Sequence, residues 1–386
     1  MLCLTLFMLA VTNDGFAKKP SVSVTAKNLF QMSRDTNFVI LLLDAVDAYT
    51  LKNVMETDPE YYDMFTDFTF YDNMLGAYPY TEFAVPCILS GEWYENEEKL
   101  RDFEIDAYAQ SPFLEKLEED GYRMAVYSGE LPAYDGNLQR FENVLSNERG
   151  VNDKWAFIRW QALMMGFRYA PYDLKRFSFV NPNAFNDLKI PPKGEELYSP
   201  FNPQFYEAVL GDEISYTEQK CFKFIHILGG HLPFQYDKDV NIIENGTYEG
   251  NIQASLTITK EYLNKLKAGG VYDNSVIIVM ADHGYNLESG IYGRQNPIFF
   301  VKGIEEKHGF VISDAPVSFA DLQEAYRRLL NGAASDEIFD WQSGDSRRRR
   351  YILYQYLEED HMVEYMQTGH AHDTDSMYKT GTIYEK

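Results

Sequence analysis

Three apolar stretches, each followed by residues that can bind a metal ion, constrain this sequence more than any other feature. They are Asn37–Leu43 (NFVILLL) before Asp44, Cys221–Leu228 (CFKFIHIL) before Gly230-His231, and NSVIIVMA, from Asn274, before Asp282-His283-Gly284. Uninterrupted apolar runs of this length are typical of parallel strands buried on both faces. The pattern therefore predicts a buried, parallel sheet.

Helical signals separate the predicted strands. Ser111-Pro112 begins one helix, with proline at the first helical position, and Ser318 with Asp321 resembles a capping box at the start of another. Strands that alternate with helices indicate an α/β fold with a doubly wound, mostly parallel sheet flanked by helices. We predict an N-terminal segment over 1–35, a main domain over 36–335 and a small C-terminal subdomain over 336–386.

The charge of the chain excludes one class of function. The 386 residues carry a net charge of −24, from 35 Lys and Arg against 59 Asp and Glu. General nucleic-acid binding needs a basic surface, so we expect no nucleic-acid partner. Apolar residues make up 45% of the chain, which excludes disorder for most of it.

The sequence begins with a short apolar run, Leu2–Val11 (LCLTLFMLAV). About 20 residues are needed to cross a bilayer, so this run is too short to span one. It matches the apolar region of a signal peptide in length, but Lys18 and Lys19 follow it rather than precede it. The alternatives are a weak signal peptide, the remnant of a membrane helix and a buried N-terminal element. The first two predict a location at the cell membrane, with the main domain extracytoplasmic.

The cysteines are too few to form a disulfide framework. Cys3 lies in the apolar N-terminal run, so at most one bridge, between Cys87 and Cys221, is available. The alternative for both is a small buried thiol.

The residues that follow the strands predict a metal site. In open α/β sheets, ligands bind outside the carboxyl ends of the strands, where Asp44, His231 and the pair Asp282-His283 are expected to meet. Two carboxylates and one imidazole suit Zn²⁺, or Mn²⁺ if oxygen donors dominate. A lone aspartate after a strand is more often a helix N-cap, but three such strand ends together favour a metal ion.

These motifs resemble the alkaline-phosphatase superfamily. The shared features are VMADHG after one strand, GGHLP after another, and a threonine shortly before Val-Pro, in family order from about Asn37 to Lys302. The sequence is most similar to the sulfatase-like extracytoplasmic transferases, which include lipoteichoic acid synthases and phosphoethanolamine transferases. In the latter, the nucleophilic threonine lies in a stretch like T-A-Y-S-V-P-C, and Thr81–Cys87 (TEFAVPC) has the same spacing.

The resemblance implies a role for each matching residue. Asp44, Thr81, Asp282 and His283 would bind one divalent ion, Zn²⁺ or Mn²⁺. Thr81 would also be the nucleophile. His231 would contact the substrate phosphate or protonate the leaving group.

The sequence departs from these families at several positions. Sulfatases need a C/S-x-P/A-x-R type motif for their modified nucleophile, and Cys87–Gly91 (CILSG) lacks the proline and the arginine. Phosphoethanolamine transferases often carry a disulfide that ends at the position of Cys87, but its partner position here is Ala77. They also carry a further histidine after Asp-His-Gly, whereas Tyr285–Pro297 has none. Arg294 is our candidate for that phosphate contact.

The resemblance implies that the protein is a metal-dependent phosphotransferase. Such an enzyme would move phosphoglycerol or phosphoethanolamine from a phospholipid donor to an envelope glycan or lipid, through a phosphothreonine. Membrane association and the absence of nucleic-acid binding are part of this expectation. The alternatives are a phosphodiesterase or phosphatase that uses water, and a catalytically silent binding module.

Overall fold

The computed structural model describes residues 22–131, 135–146, 153–178, 188, 191–285, 293–354 and 361–385. Its strands, in chain order, are β1 (Val22–Val24), β2 (Gln31–Ser33), β3 (Asn37–Leu43), β4 (Thr69–Tyr71), β5 (Arg123–Tyr127), β6 (Val144–Ser146), β7 (Ser215–Thr217), β8 (Cys221–Ile227), β9 (Ser275–Met280), β10 (Phe299–Lys302), β11 (Val311–Ser313), β12 (Arg349–Tyr354), β13 (His361–Gln367) and β14 (Met377–Glu385).

The α-helices within the same residues are α1 (Ala48–Met55), α2 (Glu60–Met64), α3 (Thr81–Ser90), α4 (Leu100–Ala109), α5 (Pro112–Glu119), α6 (Asp135–Arg140), α7 (Lys154–Tyr169), α8 (Asn202–Gly211), α9 (Tyr248–Ala268) and α10 (Leu322–Leu330). Short 3-10 helices cover Tyr172–Phe177, Phe319–Asp321 and Thr374–Ser376.

A seven-stranded sheet forms the centre of the molecule, in the order β11-β4-β10-β9-β3-β8-β5. Strand β3 lies between β8 and β9 and is parallel to both, and β5 is parallel to β8. Only β10 runs against its neighbours β9 and β4. The predicted doubly wound, mostly parallel α/β fold is confirmed.

Helices cover both faces of the sheet, which explains why the central strands are apolar throughout. Alternate residues of β3 contribute to two separate cores, with Phe38 and Ile40 in one and Val39 and Leu41 in the other. The first core includes residues of α3, α4, α5 and α10, and the second includes residues of α1, α2, α8 and α9. Burial on both faces removes the polar positions that a solvent-exposed sheet would show.

A second, antiparallel sheet of β12, β13 and β14 forms the C-terminal part, as predicted for a small subdomain. Four consecutive arginines, Arg347–Arg350, connect this small sheet to the main part of the structure. Arg349 is buried, and its guanidinium donates to Oδ1 of Asn73 at 2.9 Å and to the carbonyl of Val317 at 3.0 Å. Arg347 forms an ion pair with Asp321 at 2.9 Å. These arginines therefore hold the antiparallel sheet against the segments that follow β4 and β11.

The predicted location at the cell membrane is wrong for this structure. No helix among the described residues is long and apolar enough to cross a bilayer. The longest, α9, has 21 residues, but Lys and Glu side chains interrupt it and its apolar side packs on the sheet. The run Leu2–Val11, which suggested a membrane location, lies outside the described residues, as does Cys3.

Candidate metal centre

Asp44 reaches the site because β3 and β8 end very close together. The carbonyl of Ile227 accepts from the backbone N–H of Asp44 at 3.1 Å, and the carbonyl of Asp44 accepts from Gly230 at 2.8 Å. A side chain at Gly229 would place its Cβ 2.7 Å from the backbone nitrogen of Asp44, and its φ of +51° is in the left-handed region. Glycine is therefore required at position 229.

Asp282 is held with one carboxylate oxygen free. Its Oδ1 accepts from the backbone N–H of Ala45 at 3.1 Å and from that of His283 at 2.9 Å. Its Oδ2 is buried and accepts no hydrogen bond within the described part of the chain. The two backbone amides thus orient the carboxylate and leave one oxygen for another partner.

His283 turns its Nε2 atom toward both carboxylates. Its Nδ1 lies 2.8 Å from the carbonyl of Gly284, so we assign the ring proton to Nδ1. Nε2 then presents a lone pair 3.7 Å from Oδ1 of Asp44 and 3.6 Å from Oδ2 of Asp282. A lone pair that faces two carboxylate oxygens in a buried site favours a cation between them.

The residues present fit a divalent metal ion. Asp44, Asp282 and His283 are buried and each offers a ligand atom, and these atoms lie within 4.8 Å of one another. Oδ1 of Asp44 and Oδ2 of Asp282 are buried without a hydrogen-bond partner among the described residues. Buried charged groups are costly unless they are paired or bind a metal, which explains these atoms.

His226 is a site residue that the sequence analysis missed. Its Nε2 lies 3.5 Å from Oδ2 of Asp44, and its Nδ1 lies 3.0 Å from Oγ of Ser128. The sequence held one signal for His226. Along β8, Phe222 and Phe224 alternate with other residues, and the next position on the same side of the strand is His226 rather than a third apolar residue. A histidine at a buried strand position needs a polar partner, and that partner is Asp44.

The electrostatics of this pair keep the carboxylate ionised. Burial by itself raises the pKa of Asp44, but contact with His226 and the nearby imidazoles of His283 and His231 hold that pKa below its ordinary value. Burial lowers the pKa of His226, but Asp44 and other carboxylates outweigh it and raise that pKa above its ordinary value.

Thr81 is the first residue of α3 and is half-buried. The residue before it, Tyr80, has an extended backbone, and its side chain forms no capping hydrogen bond with the helix. A hydroxyl here lies next to backbone N–H groups that the helix leaves unused, which favours a bound phosphate. The nucleophilic role of Thr81 remains a prediction.

Arg294 links the threonine segment to the histidine segment, rather than lying on the surface. Its guanidinium donates to the carbonyl of Pro79 at 3.1 Å and lies 5.2 Å from the ring centre of Tyr80 and 5.0 Å from that of Tyr285. Its own carbonyl accepts from the backbone N–H of Gly284 at 2.8 Å. A cation thus lies between the segments that carry Thr81 and His283.

His231 is exposed and not part of the buried cluster. Its Nδ1 lies 2.6 Å from the carbonyl of Leu232, so we assign the ring proton to Nδ1 and leave Nε2 available. Asn251 donates to the carbonyl of His231 at 3.0 Å and holds the segment in place. Its charge acts on Asp44, which places it within electrostatic range of the site.

The cysteines do not take part in the site. Cys87 and Cys221 are both free and buried, in agreement with the buried-thiol alternative. Burial raises the pKa of Cys87 to about 12, so the thiol stays protonated. Ser90, in the same helix, donates its hydroxyl to the carbonyl of Pro86 at 2.7 Å.

Glu130 is a further acidic residue within electrostatic range of Asp44 and Asp282, and no sequence pattern pointed to it. Burial and the nearby charges of Glu130 and Glu82 raise the pKa of Glu104 to about 7. Burial also raises the pKa of Glu130, where the negative charges of Glu82, Asp44 and Asp282 add to it. A cation would relieve this repulsion.

Two buried carboxylates and an imidazole at the carboxyl edge of a parallel sheet define a site for metal-dependent catalysis. The chain belongs to the sulfatase family, whose model, described as Sulfatase, matches residues 36–308. It is therefore a hydrolase-type enzyme of the sulfatase and alkaline-phosphatase superfamily, whose members use a divalent metal ion. No curated protein matches this sequence.

Solved structures with a similar fold cover most of the chain. Ps i-CgsB is 14% identical with a TM-score of 0.54, over 87% of this chain and 84% of its own. A Bacteroides thetaiotaomicron protein, described with the metabolism of multiple glycosaminoglycans, is 13% identical with a TM-score of 0.51, over 90% and 88%. The phosphonate monoester hydrolase SpPMH from Silicibacter pomeroyi is 12% identical with a TM-score of 0.45, over 89% and 88%. At these identities the similarity to the first two structures, whose TM-scores exceed 0.5, is one of fold.

Proposed function

We propose that this enzyme is a phosphotransferase that moves a phospho-alcohol group from a phospholipid to an alcohol acceptor, with Thr81 as the nucleophile. The group would be phosphoglycerol or phosphoethanolamine, and the acceptor a glycan or lipid hydroxyl. The chain would then be a member of the sulfatase family whose nucleophile is a threonine rather than the modified residue of the sulfatases.

The observation that carries the proposal is the contrast between Thr81 and Cys87 in one helix. Cys87 is fully buried in the middle of α3, with a thiol that stays protonated, and its C-terminal neighbours lack the proline and arginine of the sulfatase motif. Thr81 is half-buried at the N-terminal end of the same helix. The helix therefore presents a hydroxyl, rather than a modified cysteine, at its N-terminal end, where backbone N–H groups favour a bound phosphate.

In the first half of the proposed reaction, each residue of the predicted site has a separate role. Oγ of Thr81 attacks the phosphorus atom, and the bond from phosphorus to the lipid alcohol breaks. The hydroxyl proton of Thr81 leaves to solvent or a neighbouring base. The imidazolium form of His231 donates its Nε2 proton to the departing alkoxide and becomes neutral. Arg294 offsets the negative charge of the phosphoryl oxygens. The products are the lipid alcohol and a phosphothreonine ester.

The second half reverses these roles with a different alcohol. Neutral His231 accepts the proton of the acceptor hydroxyl, whose oxygen attacks phosphorus and releases Oγ of Thr81. The threonine regains a proton, so no electrons are transferred overall and the enzyme returns to its starting state.

Asp44, Asp282 and His283, together with Thr81, would hold the divalent ion. When bound there, Zn²⁺ or Mn²⁺ lowers the pKa of a coordinated hydroxyl and neutralises charge on the phosphoryl oxygens. Backbone amides already orient the buried carboxylate of Asp282, so this ligand needs little reorganisation on binding.

A second candidate is hydrolysis, with water as the acceptor. The exposure of His231 favours it, because water reaches the imidazole that would activate the acceptor. Acceptor dependence distinguishes the two functions, since a transferase needs an added alcohol for rapid turnover and a hydrolase does not.

Intact-mass measurement with a lipid donor tests the proposal. The 386-residue chain, with its metal content measured by elemental analysis, would be incubated with dispersed phosphatidylglycerol or phosphatidylethanolamine. We expect an adduct of phosphoglycerol or phosphoethanolamine mass on Thr81, absent in Thr81→Ala and restored in part in Thr81→Ser. An adduct at another residue, or equal turnover by Thr81→Ala, would contradict the mechanism.

A further inference from the structure

The most unusual surface of the molecule is the segment 154–177, which we call the aromatic hairpin. It consists of α7 packed against the 3-10 helix Tyr172–Phe177. Gly166 lets Ser178, which follows the 3-10 helix, lie close to α7, because a Cβ at position 166 would lie 2.8 Å from Oγ of Ser178. No residue of α7 or of the 3-10 helix is buried.

One side of α7 carries an exposed apolar stripe. Trp155, Ile158, Met165 and Tyr169 are exposed to 81%, 55%, 61% and 74%, respectively, and exposed Ala162 lies between them. These five positions are three and four residues apart, so they lie along one side of the helix. Folded proteins rarely expose a contiguous apolar stripe unless it binds a partner.

The hairpin is apolar on more than this one side. Phe157, Met164 and Phe167 are exposed on another side of α7, and Tyr172 and Phe177 are exposed on the 3-10 helix. Exposed aromatic and aliphatic side chains together with Lys and Arg are typical of helices that lie in the interfacial region of a lipid layer. The distribution of exposed side chains therefore favours lipid.

The charge of the hairpin points to the same kind of partner. It carries five basic residues, Lys154, Arg159, Arg168, Lys175 and Arg176, against one acidic residue, Asp173, in a chain whose net charge is −24. Two hairpins facing each other would bring like charges together, which disfavours a second copy as the occupant. An anionic lipid surface would attract the hairpin and repel the acidic remainder of the chain, which fixes the orientation.

We infer that the aromatic hairpin is a lipid-binding element that inserts shallowly into the surface of a layer containing anionic phospholipid. The contact is one with a surface and involves no spanning segment. The inference does not rest on the proposed function, because vesicle binding is measured without turnover.

Vesicle flotation of the 386-residue chain tests this inference, with phosphatidylcholine alone or mixed with phosphatidylglycerol. We expect the protein to float with the mixed vesicles at low salt, and to bind less as salt rises. The double variant Ile158→Glu, Met165→Glu should lose binding. The matched control Leu210→Glu, whose leucine is 58% exposed on α8, should bind as the wild type does.

A second variant pair separates the charge contribution from the apolar one. Arg159→Gln and Arg168→Gln should each weaken binding about fivefold, the usual effect of one basic residue near an anionic surface. Thr81→Ala should float as the wild type does, so failure of the proposed function leaves this result unchanged. All variants should give wild-type circular dichroism, because the replaced side chains are exposed.

Three outcomes would overturn the inference. The first is no flotation of the wild type with anionic vesicles at low salt. The second is equal loss of binding in Leu210→Glu and in the double variant. The third is a dimer in light scattering that the double variant abolishes, which would identify a second copy as the occupant.

Discussion

Nε2 of His226 lies 3.5 Å from Oδ2 of Asp44, while Oδ1 of the same carboxylate lies 3.7 Å from Nε2 of His283. The two oxygens of Asp44 thus have different neighbours. Ser128, at 3.0 Å from Nδ1 of His226, completes a chain of polar groups behind the carboxylate. Partners of this kind orient metal ligands and strengthen metal binding.

The first prediction concerns His226. In His226→Gln the imidazole behind Asp44 is lost, so we expect metal affinity to fall about tenfold to a hundredfold while the fold is retained. Metal content after graded dialysis, with circular dichroism as the folding check, measures this. His372→Gln, at a half-exposed histidine that stacks on Tyr49, is the matched control. Equal metal retention in both variants would show that His226 does not support the site.

The second prediction concerns Asp282. Asp282→Asn keeps an oxygen for the backbone amides of Ala45 and His283 but replaces the free oxygen by an NH₂ group. We expect metal affinity to fall more than about tenfold, because a ligand with negative charge is removed. Elemental analysis after dialysis measures it, and exposed Asp336→Asn is the control. Wild-type metal content in Asp282→Asn would count against its role as a ligand.

The third prediction concerns Arg294. Arg294→Lys keeps the charge but loses the planar group that lies near the rings of Tyr80 and Tyr285 and donates to Pro79. We expect kcat/KM to fall about tenfold, since a lysine does not reproduce the stacked, directional contact. Arg34→Lys, over the ring of Tyr216 at 4.1 Å, is the matched control. An equal effect of both substitutions would indicate general loss of stability.

The fourth prediction concerns pH. Burial raises the pKa of Asp47 from 3.8 to about 6, although its carboxylate caps α1 by accepting from Thr50 at 2.9 Å. Between these values the folded state holds a proton that the unfolded state has released. The free energy of unfolding therefore falls as pH rises from about 4 to about 6, by up to about 3 kcal/mol.

Asp47→Asn should remove this slope, because the amide keeps the cap and cannot ionise. Urea unfolding of chelator-treated protein across that pH range measures the difference between wild type and variant. We expect the variant to be more stable relative to wild type above about pH 6 than below pH 4. Parallel pH curves for the two proteins would mean that Asp47 has an ordinary pKa.

Much of the fold could be predicted from local sequence patterns. The apolar runs that form β3, β8 and β9 and the capping box at Ser318 appear in the structure as expected. No local pattern predicted α8 (Asn202–Gly211), which begins without a side-chain cap and packs Phe205 and Val209 against α9 and the sheet. Such a helix depends on tertiary packing, which local patterns do not reveal.

Local sequence patterns were enough to predict that Asp44, Asp282 and His283 meet at one edge of the sheet, because parallel strands place their carboxyl ends together. The residues that surround them depend on the complete fold. The strand order places His226 of β8 behind Asp44 of β3, and the fold buries Cys87 within α3 and carries Arg294 to Pro79. These contacts join residues far apart in the chain, so their energies depend on long-range packing that no local pattern encodes.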